Sequence, residues 1–204
     1  MTEEEKMING KIYDPMDENL VFLRNKAHNL CREFNALTEG DKKRELLLDE
    51  LVPHHSNVWL AGPVFFDYGK NTTFGKNCFA NFNLYVLDCC PVTIGDDVFF
   101  GPNVSILTPM HPLLAEERKM YFDKEKGYVT DKEYAKPISI GDGTWIAGNV
   151  IINGGVTIGK RCVIGSGSVV TRDIPDDSLA VGNPARVIRK ITKEDSIYLK
   201  KELF

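Results

Sequence analysis

Four histidines occur in the chain, and His111 is the one whose surroundings suggest chemistry. It stands in Thr108-Pro-Met-His-Pro, at the point where a regular sequence pattern breaks off. A neutral imidazole accepts a proton near physiological pH, so this position fits a general base. His28 falls within a helical pattern, and His54 and His55 follow a helix-stopping Pro53, where capping or surface roles are the simpler reading. A catalytic zinc needs about three converging His ligands, and only His111 lies in the repeat region or its loop. Cys89-Cys90 is adjacent rather than CxxC, a poor zinc pattern. Arg172, Arg186, Arg189, Lys190 and Lys193 gather at the far end of the pattern. That cluster suits a phosphate-bearing ligand; the other reading is a solvated positive end. Asp14, Asp67, Asn81 and Asp88 are able to orient a polyhydroxyl ligand, although singly each is an ordinary cap or turn residue.

The elements that must position these groups are read from residues 140–174. An aliphatic residue recurs at Ile140, Ile146, Ile152, Ile158, Ile164 and Val170, usually followed by a small residue. A six-residue period signifies a parallel β-helix, in which the aliphatic side chains stack inward from coil to coil. The small residue sits at a corner where a larger one would clash. Earlier units begin at Phe74, Ala80 and Val86, then at Ile94, Phe100 and Ile106, so the phase slips by two around Pro91. Such a slip implies a bulged corner. From about 107 to 137 the repeat stops, and this charged, aromatic stretch reads as a loop thrown out of the coil. Loops of that length are usually functional. Trp145 ends a hexad, so its ring should point outward and need a partner surface.

Before the repeat, Thr2-Glu-Glu-Glu5 has capping-box spacing and Gly10 suits a helix end. Leu20, Leu23, Ala27, Leu30, Phe34 and Leu37 recur at helical spacing, with Asp17 and Glu18 in the first turn. Gly40 ends that segment, and Asp41 and Pro53 bound a third helix. The expected organisation is a helical segment 1–57, a β-helix 58–182, and a turn with a tail over 183–204. The helices should cover one open end of the β-helix.

The chain has 204 residues, 43% hydrophobic and 26% charged, with a formal net charge of -4. That balance is ordinary for a soluble protein and argues against a nucleic-acid-binding surface. Met-Thr-Glu-Glu-Glu is acidic where a secretory leader is basic, and no apolar run has the length of a membrane span. A cytoplasmic protein is expected. Five cysteines argue against a disulfide framework, and Cys78 and Cys162 fall on the inward secondary position of a hexad.

Taken together, several segments resemble the maltose and galactoside O-acetyltransferases, a branch of the hexapeptide-repeat acyltransferases. They are Glu5–Asp14, Asp67-Tyr-Gly, Ala80-Asn-Phe-Asn83, Leu87-Asp-Cys-Cys-Pro91, Ile94-Gly-Asp, Gly101-Pro-Asn-Val, His111-Pro, Pro137–Ile146 and Val181-Gly-Asn-Pro-Ala-Arg186. The resemblance implies a mainly β fold, a left-handed parallel β-helix, assembled as a homotrimer with active sites between subunits. It implies transfer of an acetyl group from acetyl-CoA to a sugar hydroxyl, with no metal. By position, it makes His111 the general base and puts Asn81 beside the acceptor. Asp14 and Asp67 become sugar contacts, and Trp145 shapes the pocket. Gly148 lies along the acetyl-pantetheine arm, and Ser166, Thr171, Arg172, Arg186 and Arg189 contact CoA. Cys89 replaces a carboxylate of the galactoside enzymes and matches the Asp-x-Cys-Pro of the maltose type. The loop after His111 is longer than the resemblance leads one to expect. Other readings on this scaffold are a xenobiotic or oligosaccharide O-acetyltransferase, a γ-carbonic-anhydrase-like enzyme, and a non-catalytic solenoid.

Overall fold

A computed structural model describes residues 1–203. Its body is a parallel solenoid whose coils each contribute a strand to three sheets. In the first sheet Phe74, Ile94, Ile140 and Ile158 stand in register. In the second, Leu60, Ala80, Phe100, Ile146, Ile164 and Ala180 align. In the third, Phe66, Val86, Ile106, Ile152 and Val170 align. None of these side chains is more than 4% exposed. The sequence period is therefore the stacking period of one core, with Cys78 and Cys162 buried in it as free thiols. Burying one such aliphatic side chain is worth about 1.5–3 kcal/mol.

The corners differ in construction. Between the first and second sheets the turn residues Asn57, Asn77 and Asp97 have φ of 52, 56 and 54°. Asn57 donates to Asn77 at 2.7 Å, and Asn77 to Asp97 at 3.2 Å. Between the second and third sheets Asn83, Asn103 and Asn149 repeat the device, with side-chain bonds of 2.9 and 3.1 Å. Asn and Asp tolerate the left-handed region because their short polar side chains bond locally. The small residue after the aliphatic one is required by close approach. A Cβ on Gly95 would stand 2.8 Å from the Asp142 amide nitrogen, and one on Gly159 2.5 Å from that of Asp176.

The third corner, between the third and first sheets, is irregular. Inward positions there step from Phe66 to Phe74 and from Val86 to Ile94, each longer than the regular six. The slip at Pro91 is the second of these widenings. Buried Asp88 ties the corner together by accepting from the Tyr68 amide at 2.8 Å, the Gly69 amide at 3.1 Å and the Thr72 hydroxyl at 3.0 Å. Burial pushes its carboxyl up to about 6, against the pull of those donors. Asp88 is thus a brace within the coil and has no ligand-facing oxygen. The long excursion leaves the same corner and returns to it.

Helices α1 (Glu3–Ile8), α2 (Glu18–Asn35) and α3 (Lys43–Leu51) precede the solenoid. Thr2 and Glu5 form the capping box on α1, and Asp17 caps α2. Asp41 accepts from the Lys43 amide at 2.8 Å, one residue ahead of the α3 N-cap, Lys42. The helices close the open end by replacing a missing coil. Phe34, Leu47, Leu48 and Leu51 join the core beside Leu60, Val64 and Phe66. Edge groups of the first coil are bonded too. Arg44 donates to the Leu60 and Ala61 carbonyls at 2.7 and 2.9 Å while its guanidinium lies 4.1 Å from the Phe34 ring. Asn35 exchanges two bonds of 2.8 Å with the Val64 backbone. Unpaired edge groups of that kind are otherwise a template for aggregation.

Two boundaries depart from expectation. The first parallel strand is His54–Ser56, ahead of Val58; it carries no buried aliphatic and so no hexad signal. The chain after Gly182 is a turn, as read, but Ala185–Lys190 then forms an antiparallel strand against Ser178–Gly182, which covers the last coil. Short 3-10 turns follow from Lys193 to Leu203. The excursion is ordered: it holds a helical turn, α4 (Ala115–Arg118), and a hairpin of Tyr121–Asp123 with Tyr128–Thr130.

Candidate active site

Two antiparallel strands, Pro109–Met110 and Tyr134–Ala135, clamp the foot of the excursion. The rung beyond the Met110–Tyr134 pair brings His111 opposite Glu133. His111 Nδ1 lies 3.6 Å from Asp131 Oδ2, and Nε2 lies 3.9 Å from Glu133 Oε1. The ring is half-exposed, whereas both carboxylates are largely covered. The two carboxylates flank the ring beyond hydrogen-bond distance, and about half of the side chain stays open to solvent.

Behind this rung lies a second, smaller core of Met7, Tyr13, Leu20, Tyr68, Cys89, Cys90 and Ala135. Tyr13 bridges Glu133 through the backbone and donates its hydroxyl to Glu133 Oε2 at 2.6 Å. Burial, with Cys89 and Glu133 beside it, pushes the Tyr13 phenol far up, so it stays a donor. Burial also pushes the Cys89 thiol far up, which makes it an inert filler and not a nucleophile. Asp14 accepts from Lys126, Tyr128, Thr130 and the Met16 amide. Burial alone would raise its carboxyl; those donors outweigh it and hold the group at about 2. Asp67 lies at the same corner, 3.3 Å from His28 Nε2 on α2 and 3.9 Å from the Cys89 sulfur. Arg24 donates to the Tyr68 hydroxyl at 3.2 Å. Thus α2 leans over the third corner as well as closing the end.

Asn81, Gly148 and Ser166 occupy a different place. Each follows a strand of the second sheet, so they line the corner between the second and third sheets. The Asn81 carboxamide oxygen accepts from the Phe82 amide at 2.8 Å, which leaves its nitrogen free to donate. Arg186 and Arg189 sit on the strand that covers the last coil. Arg189 is held by Asp195 in two bonds of 2.8 and 2.7 Å, whereas Arg186 makes no ion pair among the described residues. Thr171 and Arg172 follow the last strand of the third sheet, below the corner of Asp67 and His111. Trp145 points outward, 52% exposed, in a column with Trp59, Phe79 and Phe99. One chain therefore carries the expected site residues in two groups, at two corners. Asp67 and His111 lie with Asp131 and Glu133 at one; Asn81, Gly148 and Ser166 lie at the other.

Among the described residues the group spaced closely enough to hold a metal is His111, Asp131 and Glu133. It contains one imidazole, not the three of a γ-carbonic-anhydrase-like centre. A cleft of about 400 Å³ under the α2–α3 turn, lined by Gly40, Arg44, Leu48 and Trp59, includes no residue of either group. No helix is long and apolar enough to cross a membrane. Sequence reading missed Asp131, Glu133 and the Tyr13 hydroxyl, and ranked His28 low. Their contacts join segments far apart in the chain, for which no local signal exists.

Comparison with known proteins agrees with this architecture. Residues 6–56 match the maltose acetyltransferase hexapeptide capping motif, and residues 137–172 match the bacterial transferase hexapeptide (six repeats). The chain is 40% identical to the galactoside O-acetyltransferase of Escherichia coli strain K12, over 99% of this chain and 96% of that one. A solved maltose O-acetyltransferase from Clostridium difficile 630 superposes with a TM-score of 0.85 at 44% identity, covering 95% of this chain and 99% of that one. A hexapeptide-repeat acetyltransferase from Vibrio cholerae, solved with acetyl coenzyme A, gives a TM-score of 0.81 at 36% identity, covering 95% and 100%. With capping helices, stacked coils and full-length identity in agreement, this chain belongs to the galactoside and maltose O-acetyltransferase family of hexapeptide-repeat acyltransferases.

Proposed function

We propose that the protein moves an acetyl group from acetyl-CoA to a sugar hydroxyl, with His111 as general base and active sites shared between the subunits of a homotrimer. The observation that carries the reading is the rung at the foot of the excursion, where His111 lies between Asp131 and Glu133. His111 takes the proton of the acceptor hydroxyl as its oxygen attacks the thioester carbonyl. A C–O bond forms, the C–S bond breaks, and the departing CoA sulfur takes the proton back from the imidazolium. The tetrahedral oxyanion needs a donor, and the free Asn81 carboxamide nitrogen is suited to that role.

Within one chain Asn81 and His111 stand at different corners, so a complete site requires a second copy. The outward column of Trp59, Phe79, Phe99 and Trp145 supports such contact, because exposed apolar patches of that kind mark interaction surfaces. The first sheet presents Thr73, Thr93, Ser139 and Thr157 outward instead, which suits a face left to water. Gly148 and Ser166 then lie along the pantetheine arm, while Thr171, Arg172, Arg186 and Arg189 lie near the CoA phosphates. Relatives named for maltose and for galactoside support a sugar acceptor of that type. The ordered excursion beside His111 supports a second reading, an oligosaccharide or xenobiotic alcohol as acceptor.

The test follows CoA thiol release from acetyl-CoA with maltose, glucose, a galactoside and a set of larger alcohols. Turnover with a sugar, and its loss by about two to four orders of magnitude in His111→Ala, is the expected result. Near-normal turnover in that variant overturns the assignment of the base.

A further inference from the structure

We propose that His28 is a specificity residue of the acceptor site: from α2 it holds the Asp67 carboxylate, and the pair takes two neighbouring hydroxyls of the acceptor. His28 is thus a positioning residue for Asp67 as well as a contact of its own. The inference deepens the acetyl-transfer function proposed above and rests on it, and it names a vicinal diol as the feature the acceptor must carry.

One stripe of α2 follows the first coil of the third sheet. Arg24, His28, Cys31 and Asn35 recur at spacings of four, three and four, so they share one side of the helix. Their partners run the opposite way along the chain. Arg24 donates to the Tyr68 hydroxyl at 3.2 Å, and His28 Nε2 meets Asp67 Oδ1 at 3.3 Å. The Cys31 sulfur accepts from the Phe66 amide at 3.4 Å, and Asn35 bonds the Val64 backbone. Cys31 and Asn35 satisfy backbone groups of the edge coil, which is what closing the end requires. The His28 side chain satisfies none. It is 42% exposed, and that of Asp67 is 20% exposed. Ion pairs this open contribute little to stability, so holding the end closed does not account for an imidazole on this rung.

The rung lies in the wall of the corner that holds His111. The Asp67 amide donates to the Val86 carbonyl at 3.1 Å, and its side chain, next after the inward Phe66, leaves the coil on the outer face. Cys89 lies against Asp67 and against the Tyr13 hydroxyl, which donates to Glu133 beside His111. His28 and His111 therefore stand at the two ends of one row of side chains. A carboxylate only accepts, so His28 Nε2 carries the hydrogen of their bond and the neutral ring keeps Nδ1 as an acceptor. Nδ1 makes no bond among the described residues, and Asp67 Oδ2 has one donor there, the Cys89 thiol at 3.9 Å. A thiol is a weak donor. Each member of the pair thus has one acceptor atom left, which matches two adjacent hydroxyls that each give a hydrogen.

The experiment compares His28→Ala, His28→Gln, Asp67→Ala and the His28→Ala/Asp67→Ala double variant of the full-length protein. KM and kcat are measured for acetyl-CoA, maltose, glucose and cyclohexanol, a ring with a single hydroxyl. Calorimetry with CoA present gives Kd for maltose. In His28→Ala, sugar KM and Kd should rise by about 5- to 50-fold, the scale of a hydrogen bond to a charged group. KM for acetyl-CoA should hold, kcat should change far less, and cyclohexanol should show no such rise. Gln places a donor nitrogen where Nε2 stands, so His28→Gln should recover most of the loss. The double variant should lose less than the two single losses combined. Unchanged sugar KM and Kd in His28→Ala, additive losses in the double variant, or an equal loss with cyclohexanol would overturn the role of His28. A natural chain that acetylates cyclohexanol as readily as the sugars would overturn the diol while leaving acetyl transfer standing. Turnover surviving in His111→Ala, or maltose bound without turnover, would fail the function proposed above; the Kd ratio between His28→Ala and the natural chain still decides His28.

Discussion

Glu133 has its two carboxylate oxygens committed in different directions: Oε2 accepts the Tyr13 hydroxyl at 2.6 Å, and Oε1 faces His111 Nε2 at 3.9 Å. The tyrosine thereby sets the carboxylate that borders the ring. Replacing Tyr13 by Phe keeps the ring packed in the small core and removes only the donor. A hydrogen bond to a charged group contributes about 1.5–3 kcal/mol. Calorimetry should show a loss in that range, and kcat should fall while KM for acetyl-CoA stays constant. An unchanged Tm would show that the Tyr13–Glu133 bond carries no stability.

Asp88 gives a pH dependence of known sign. Its carboxyl in the folded chain is raised to about 6, first by burial. Its contribution to stability is present in full below the unfolded value of about 3.9 and is lost as pH rises through 6. The difference amounts to about 2–3 kcal/mol between pH 4 and 7. Asp88→Asn keeps an acceptor for the Tyr68 and Gly69 amides without the charge. Thermal unfolding of that variant should depend less on pH between 4 and 7 than that of the natural chain. Parallel profiles would show that Asp88 does not titrate there.

The corner glycines offer a test of close packing. Gly95→Ala places a Cβ 2.8 Å from the Asp142 amide nitrogen. Overpacking of this kind costs about 1–3 kcal/mol, equivalent to a lowering of Tm by about 2–12 °C for a chain of this size. Gly40→Ala, where a Cβ meets nothing within 4 Å, is the control and should leave Tm nearly unchanged.

Trp145→Asp tests the assembly. A charge in the outward aromatic column should leave the coil folded, because the side chain takes no part in the core. In sedimentation velocity the natural chain should run as a trimer and the variant as smaller species, with acetyl transfer lost in parallel. A natural chain that sediments as a monomer would overturn the shared-site reading.

How far the sequence disclosed this structure depends on the range of each contact. Ile140 to Val170 gave the stacking directly, because the period of the side chains is also the period of the coil. Thr2 and Asp17 marked helix starts through bonds to amides two or three residues away. The first widening of the third corner, after Phe66, left no trace, since no clear hexad precedes it to set a phase. His111 stood out by its place at a break. Asp131 and Glu133 did not, because they reach it only after the chain has turned through the hairpin. Tyr13 lies 120 residues from Glu133, and His28 lies 39 from Asp67. Pairings of that length are made by the fold, and no local pattern announces them.

Ile106 and Ile152 are hydrogen-bonded neighbours in the third sheet although the whole excursion is threaded between them. The vertex where it departs is thus a socket: the prism continues beneath it as though nothing had been plugged in. Appendages of other lengths and compositions can be exchanged there without re-tuning the stacked layers of the solenoid, whose core takes no side chain from the excursion. The surroundings of His111 are then free to change, while the corner that carries Asn81, Gly148 and Ser166 stays as it is.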